Sequence, residues 1–201
     1  MSSAPKTRPS LLARLSCRHD ERAWADFIEI YEPLVYRIAL ARGLQHADAL
    51  ELTQEVFVAV ASAIDRWEPD PGRGKFRTWL FRIAHNQIVD FLAARGRRVQ
   101  ATGDTAVQGL LEQHAAPSPD QSALFEQESR RRLFHWAAER IRGEFQDATW
   151  KAFWRTAVEG EEIRQAAASL KMTVGAVYSA RSRILARLRR TIEQVEGMPT
   201  W

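Results

Sequence analysis

The sequence predicts an all-α protein with two small helical domains joined by a flexible linker. Apolar residues recur every three or four positions along nearly every periodic stretch, and no stretch alternates apolar and polar residues as a strand does. A segment rich in Gly, Pro and polar residues, over 99–121, interrupts the helical pattern. The 201 residues are enough for two small domains, each with its own core.

The first domain is predicted over residues 20–98, after an N-terminal tail of residues 1–19. Asp20 suits the N-cap of a first helix, which Pro33 should kink or restart. A second helix should span about 48–67. The stretch "EPDPGRGK" is too dense in Pro and Gly for a helix and predicts a loop. A third helix is expected from about Phe76 to Ala94 or Arg95, and three such helices can enclose one small core.

Helical periodicity resumes near Ser122 and predicts a second domain over 122–195, before a C-terminal tail of residues 196–201. This domain should hold four helices, the last two arranged as a helix-turn-helix: a short helix, the turn "KMT" and a longer helix that Thr173 can cap. The longer helix should bury Val174, Val177, Ile184, Leu185 and Leu188. The four helices are expected at about 122–142, 146–159, 161–170 and 174–195.

The last helix carries five arginines and no acid between Val174 and Arg190. Exposed helices normally mix charges of both signs, so a purely basic face indicates a negatively charged partner. In a helix-turn-helix the second helix lies in the DNA major groove and its N-terminal half contacts base edges. Three arginines lie too far along the helix for the bases and are expected at phosphates: Arg187, Arg189 and Arg190. A basic helix that only faces solvent is the alternative.

Charge is also segregated in the first domain. Residues 45–70 hold six acids and one Lys or Arg, whereas residues 73–98 hold seven Lys or Arg and one acid, which suggests two partners of opposite charge. In the basic segment aromatic residues alternate with Lys and Arg, as in proteins that bind single-stranded nucleic acid. The same aromatics at helical spacing also suit a core, so both interpretations stay open.

Composition limits the class of protein, the metal sites and the membrane segments that the chain can have. The chain is 45% hydrophobic and 27% charged, as in soluble globular proteins. Cys17 is its only cysteine, which excludes an internal disulfide and a cysteine-rich zinc site, and we expect no metal and no other cofactor. No apolar run approaches the ~18 residues of a membrane span, and residues 1–10 lack the apolar core of a secretion signal. A cytoplasmic protein without membrane insertion is therefore expected.

Together, the segments "ADALELTQEVF" and "KFRTWLFRIAHNQIVDFLAARGRR", the linker and the helix-turn-helix "TVGAVYSARSRILARLRR" resemble the extracytoplasmic-function (ECF) sigma factors of bacterial RNA polymerase. These are the shortest members of the sigma-70 family. The resemblance covers both domains, from about Asp20 to Val195. It implies a protein without catalytic activity that binds core RNA polymerase and directs transcription initiation at promoter DNA. It leaves open an anti-sigma factor as a further partner.

The resemblance also implies roles for individual residues. Positions on the acidic helix match those that bind the largest polymerase subunit: Asp48, Glu51, Gln54, Glu55 and Phe57. The following loop and helix match the part that recognises and opens the minus-ten element. Trp67 and Asn86 there match positions that face a flipped base, with three basic residues nearby: Arg73, Lys75 and Arg77. Positions in the last helix match those that read the minus-thirty-five element: Tyr178, Ser179, Ser182 and Arg183.

Two departures and one alternative accompany the resemblance. The loop "WEPDPGRGKF" is about two residues longer than the usual form, which would reshape the base pocket. Arg181 stands where the family often has an apolar residue and Ala180 could serve instead, so the rotation of the last helix is open.

The alternative function is that of an autonomous helix-turn-helix regulator, which would need a dimerisation surface or a ligand pocket. An enzyme would need a metal-binding carboxylate cluster, a phosphate-binding loop or an activated nucleophile, and no such motif is visible.

Overall fold

The computed structural model describes residues 10–17, 19–67, 76–100 and 119–196. Every regular element in these ranges is a helix, as the all-α prediction requires. The chain divides into two compact units, an N-terminal unit over Leu11–Arg132 and a C-terminal unit from Leu133 onward. Most of the predicted linker and the loop predicted over 68–75 lie outside the described residues.

Among the described residues, the N-terminal unit contains four complete helices and the first part of a fifth. Helix α3 is followed by one 3-10 turn, Ile64–Arg66, so the regular α-helix ends before the predicted boundary at Trp67. The helices are α1 (Leu11–Leu15), α2 (Glu21–Ala41), α3 (His46–Ala63), α4 (Phe76–Gln100) and α5 (Pro119–Arg142).

Over 133–196, the C-terminal unit contains the rest of α5 and three further helices. The second of its helices continues into one π-helical turn, Trp154–Val158, which widens the backbone there. The helices are α6 (Asp147–Phe153), α7 (Ile163–Ser169) and α8 (Val174–Glu196).

Helix α1 lies inside the segment that the sequence analysis assigned to a tail, so that assignment is wrong for residues 11–15. Its leucines Leu11, Leu12 and Leu15 are buried and pack on the N-terminal unit. Arg14 closes the junction with α2, because its guanidinium donates to both carboxylate oxygens of Asp20 at 2.8 and 2.7 Å. Asp20 also accepts the Ala23 amide at 3.0 Å, which confirms it as the N-cap. The Arg14 pair and that amide hold the pKa of Asp20 below its ordinary value.

Pro33 is predicted to kink or restart the first helix, and in the structure α2 continues through Pro33 without a restart. A proline has no N–H, so the carbonyl of Glu29, four residues earlier, loses its helical donor. Arg132 of α5 replaces that donor, with Nη2 at 3.3 Å from the Glu29 carbonyl oxygen. A side chain far along the sequence therefore compensates for the proline, and local sequence could not reveal it.

Aromatic residues form the centre of the N-terminal unit. The ring of Phe27, which is completely buried, lies 5.0 Å from Tyr31, 5.3 Å from Phe57 and 5.9 Å from Phe76. These edge and tilted contacts join α2, α3 and the start of α4. Phe57 thus serves the core, in addition to any role on the acidic helix.

The first part of α5 belongs to the N-terminal unit, so the boundary between the units falls inside this helix and not in the predicted linker. Phe125 packs on Phe81 of α4 at 5.2 Å. Polar contacts to α2 accompany it: Arg37 to Glu128 at 2.9 Å and Arg42 to Gln121 at 2.6 Å. These contacts join residues far apart in sequence, and periodicity carries no signal for them.

Small residues form the core of the helix-turn-helix. Ala152, Ala167, Val177 and Ala180 are buried together, with Ile163, Leu170 and Met172 packed against them. Small side chains let α6, α7 and α8 approach closely. Thr173 accepts the Ala176 amide at 3.1 Å, which confirms the predicted cap of α8. The preceding turn places Lys171 at a φ of 54°, a left-handed conformation that is unfavourable for a residue with a side chain.

The buried stripe of α8 settles the rotation that the sequence left open. Ala180 is fully buried and Arg181 is only partly covered, so Ala180 takes the apolar position. Two residues expected in the core are instead substantially exposed, Val174 at 41% and Leu185 at 43%. The buried residues of α8 follow at intervals of three or four, apart from the adjacent pair Thr191 and Ile192: Val177, Ala180, Ile184, Leu188, Thr191, Ile192 and Val195.

Candidate nucleic-acid interface

The outward face of α8 presents the four residues predicted to read bases. Tyr178 is 57% exposed, and Ser179, Ser182 and Arg183 are exposed beside it. They form two adjacent rows, since Tyr178 and Ser182 are one turn apart, as are Ser179 and Arg183. The Arg183 Nε lies 3.4 Å from the Ser179 carbonyl, so this guanidinium lies along the helix surface. The buried stripe fixes the direction in which these rows face.

The three arginines expected at phosphates differ in their surroundings. Arg189 and Arg190 are exposed. Arg187 is engaged by Glu144, with Nε at 2.7 Å from Oε2 and Nη2 at 2.6 Å from Oε1. Its Nη1 also lies 2.6 Å from the hydroxyl of Thr191. The positive charge of Arg187 is therefore already matched within the C-terminal unit.

A second arginine pair fixes the first helix of the helix-turn-helix. Arg155, in the π-helical turn, donates to Glu161 at 2.5 and 2.8 Å and to the Ser169 hydroxyl at 2.9 Å. It thereby connects the end of α6 with both ends of α7. The sequence analysis missed this group, because an arginine and a glutamate six residues apart across a loop have no distinctive pattern.

The outward face of α3 combines acids with apolar residues. Glu51, Gln54 and Glu55 are exposed, whereas Asp48 is half-buried in the first turn of the helix. Leu50 and Val58, not singled out by sequence, are 43% and 66% exposed. Leu50, Gln54 and Val58 follow one another at intervals of four, so they form one stripe beside the glutamates. Exposed apolar side chains bordered by charge are typical of protein interfaces.

The residues predicted to face a flipped base lie near the end of α3 and on α4. Trp67 is half-buried, with its ring edge-on to Phe76 at 5.3 Å and 6.3 Å from Trp79. Asn86 is exposed on α4, seven residues and so about two turns beyond Trp79 on the same side of the helix. The structure thus joins Trp67 to the start of α4 and leaves the Asn86 amide accessible.

The three basic residues expected beside that site have different outcomes. Arg73 and Lys75 lie outside the described residues. Arg77 is only 3% exposed, and its Nη2 lies 3.9 Å from a carboxylate oxygen of Glu126 in α5. In this conformation Arg77 is covered, so it cannot reach a phosphate. Glu126 is far away in sequence, so the pattern of α4 alone suggests an exposed base.

Among the described residues, no three His, Cys, Asp or Glu side chains gather in a way that could hold a metal ion. None of the helices described combines the length and apolar character needed to cross a membrane.

Known proteins to which this chain is similar include several RNA polymerase sigma factors. Residues 27–98 match the family model "Sigma-70 region 2". The RNA polymerase sigma factor CnrH of Cupriavidus metallidurans is 26% identical over 194 residues, 94% of this chain and 96% of CnrH. The ECF RNA polymerase sigma factor SigE of Mycolicibacterium smegmatis is 31% identical over 96 residues, 46% of this chain and 36% of SigE. The ECF RNA polymerase sigma-E factor of Escherichia coli is 29% identical over 89 residues.

The matches differ in extent. The chain spans 36% of SigE and 44% of the E. coli factor, but almost all of CnrH. A solved structure of CnrH in complex with the cytosolic domain of CnrY aligns with 91% of this chain at 21% identity and a TM-score of 0.36. The match of residues 27–98 to sigma-70 region 2, together with relatives that are RNA polymerase sigma factors, supports an ECF sigma factor of the sigma-70 family.

Proposed function

We propose that the protein is a dissociable, non-catalytic subunit of RNA polymerase that binds the core enzyme, opens the minus-ten element and reads the minus-thirty-five element. The observation that carries this proposal is the exposed row of Tyr178, Ser179, Ser182 and Arg183 on the second helix of a well-packed helix-turn-helix. Those side chains can donate to base edges in the major groove. An anti-sigma factor as a further partner stays a prediction from the resemblance.

Core binding is assigned to the outward face of α3. Glu51 and Glu55 are exposed one turn apart and would face arginines or lysines of the polymerase subunit. Leu50 and Val58 add apolar area to the same surface. Exposing these apolar side chains to water costs free energy in the isolated chain. That free energy is recovered when a partner covers them.

Minus-ten opening is assigned to the region around Trp67, Trp79 and Asn86. Extruding a base from the duplex costs a few kcal/mol, which stacking and amide hydrogen bonds can offset. The Asn86 amide offers both a donor and an acceptor to a base edge. Arg77 would join this site only if Glu126 moved away, so we assign the electrostatic contribution there to Arg73 and Lys75.

Reconstituted transcription tests the proposal. The purified chain should co-elute with core polymerase, and the mixture should initiate at a defined start site that neither component uses alone. An autonomous regulator would instead bind a specific duplex tightly without core polymerase and would not change the start site. Failure to co-elute, with circular dichroism showing a helical protein, would contradict the sigma-factor mechanism.

We expect Asn86→Ala to slow promoter opening and to leave duplex association nearly unchanged. The side chain is exposed and contributes little to folding, unlike Trp67, whose ring packs on Phe76. Loss of one or two hydrogen bonds to an extruded base should cost about 1–3 kcal/mol. Permanganate reactivity of thymines follows opening, and gel shift follows association. Asp90→Ala, an exposed change one turn further along α4, is the control, and equal opening rates for the two variants would disprove the role of Asn86.

Arg183→Ala and Arg189→Ala should affect promoter binding in different ways. If Arg183 contacts a base edge, its loss costs about 1–3 kcal/mol and relaxes preference at one position of the upstream element. If Arg189 contacts phosphate, its loss weakens binding to all sequences alike and lowers the salt slope by about one unit. Selection of promoter variants by each mutant holoenzyme, at two salt concentrations, measures both effects. Unchanged base preference with Arg183→Ala would remove Arg183 from the base-reading set.

A further inference from the structure

Arg187 differs from the other arginines of α8 because an acid from another part of the C-terminal unit holds it. Two guanidinium nitrogens donate to the two carboxylate oxygens of Glu144, at 2.7 and 2.6 Å. The third nitrogen contacts Thr191, whose hydroxyl is itself within 3.1 Å of the Arg187 carbonyl. All three donor nitrogens of the guanidinium are therefore used inside the protein.

The position of Glu144 explains how its ion pair with Arg187 can restrain α8. Glu144 lies in the short turn between α5 and α6, where its amide donates to the Ile141 carbonyl at 2.9 Å. The pair therefore links this turn to the middle of α8, about one turn after Arg183, the last of the base-reading residues. Bidentate arginine–carboxylate pairs are directional, so this one restrains the orientation of α8 as well as its distance from the turn.

We propose that Arg187 is a positioning residue, and not a phosphate contact: with Glu144 it sets the angle at which α8 enters the DNA groove. This inference rests on the proposed DNA-binding function and goes beyond it. These contacts use three of the five N–H donors of the guanidinium and pair its charge with a carboxylate, so a phosphate would meet a site that is already neutralised and partly occupied. Arg189 and Arg190, exposed on the same helix, are the better phosphate contacts.

The two roles predict opposite results for Glu144→Gln. If Arg187 contacts phosphate, removing its carboxylate partner frees the guanidinium and strengthens DNA binding. If Arg187 positions α8, the same change loosens the helix and weakens DNA binding. The sign of one measurement therefore separates the two roles.

The experiment measures binding of holoenzyme, reconstituted from core polymerase and the full chain, to a fluorescent promoter duplex over a range of salt concentrations. We expect Glu144→Gln and Arg187→Gln each to weaken binding by about threefold to tenfold, with an unchanged salt slope. The double variant should be no weaker than either single variant, because both remove the same contact. The exchanged pair Glu144→Arg with Arg187→Glu should recover part of the loss. Arg189→Gln is the control and should reduce the salt slope by about 0.9.

Arg187→Lys keeps the positive charge, and it is the conservative second variant to measure if Arg187→Gln does not fold. Lysine cannot make the bidentate contact, so a positioning role predicts weaker binding with the original salt slope, whereas a phosphate role predicts near-normal binding. Tighter binding by Glu144→Gln, or a slope reduced by about 0.9 in Arg187→Gln, would overturn the inference alone. A wild-type holoenzyme that prefers no promoter over random DNA would overturn the proposed function, and this inference with it.

Discussion

Replacing Ala180 by arginine is expected to unfold the C-terminal unit, whereas replacing the adjacent Arg181 by alanine should leave it folded. Ala180 is completely buried against Ala152, Ala167 and Val177, where α6, α7 and α8 meet. A guanidinium placed there would be desolvated without a partner and would force the helices apart, at a cost of more than about 4 kcal/mol. Arg181 is only partly covered, so its truncation should change stability by less than about 1 kcal/mol.

Thermal unfolding followed by circular dichroism, combined with limited proteolysis, measures this difference. Proteolysis shows which unit opens, since the two units are separately compact. Ala180→Arg should release fragments from residues beyond Leu133 at temperatures where the wild-type chain resists cleavage. A stable Ala180→Arg variant together with an unfolded Arg181→Ala variant would mean that α8 is rotated by about one residue, and the base-reading row would have to be reassigned.

The sequence predicted those features of the fold that depend on neighbouring residues. Asp20 and Thr173 were expected as caps because a side-chain oxygen three residues before an amide satisfies a helix terminus locally, and both contacts are present. The helix-turn-helix was expected from its periodicity and its turn. The short helix α1 was missed although Leu11, Leu12 and Leu15 have helical spacing, because one turn and a half gives a weak periodic signal.

Features that depend on distant residues could not be predicted. Pro33 predicts a kink or a restart of the helix, but α2 continues through it and Arg132 supplies the donor that the proline removes. The sequence predicts that Arg77 and Arg187 face DNA, yet an acid of another helix, Glu126, lies near Arg77, and an acid of a turn, Glu144, lies against Arg187. Sequence pattern identifies which helix faces are charged, but it does not show which of those charges are matched within the fold.

The same limit applies to the rotation of α8, because the pattern alone is compatible with either Ala180 or Arg181 at the apolar position. Both residues lie within one turn of Val177 and Ile184, and arginine can bury its methylene groups beside a core. The outcome was decided by the close approach of α6 and α7, whose contact residues Ala152 and Ala167 leave no room for a long side chain. Alanine-rich junctions of this kind are visible only when the helices are assembled.

Glu55→Lys is expected to weaken binding to core polymerase by about a hundredfold. Glu55 is exposed on α3 beside Glu51, and reversing it would place like charges across a complementary interface, which costs several kcal/mol. Fluorescence titration of labelled chain with core polymerase, or retention on immobilised core enzyme, gives the affinity. The effect should shrink at high salt, because the opposing charges are partly solvated and therefore screened.

Glu32→Lys is the matched control, since it makes the same change of charge at an exposed position of α2. If net charge alone governed association, both variants would lose affinity equally. If the face of α3 forms the interface, only Glu55→Lys loses affinity, and Val58→Asp should weaken binding independently, because Val58 is 66% exposed on that face and contributes little to the core. Unchanged core binding by Glu55→Lys and Val58→Asp, with helix content intact, would show that α3 is not the docking helix. The acidic and apolar residues exposed on it would then have to serve a different partner.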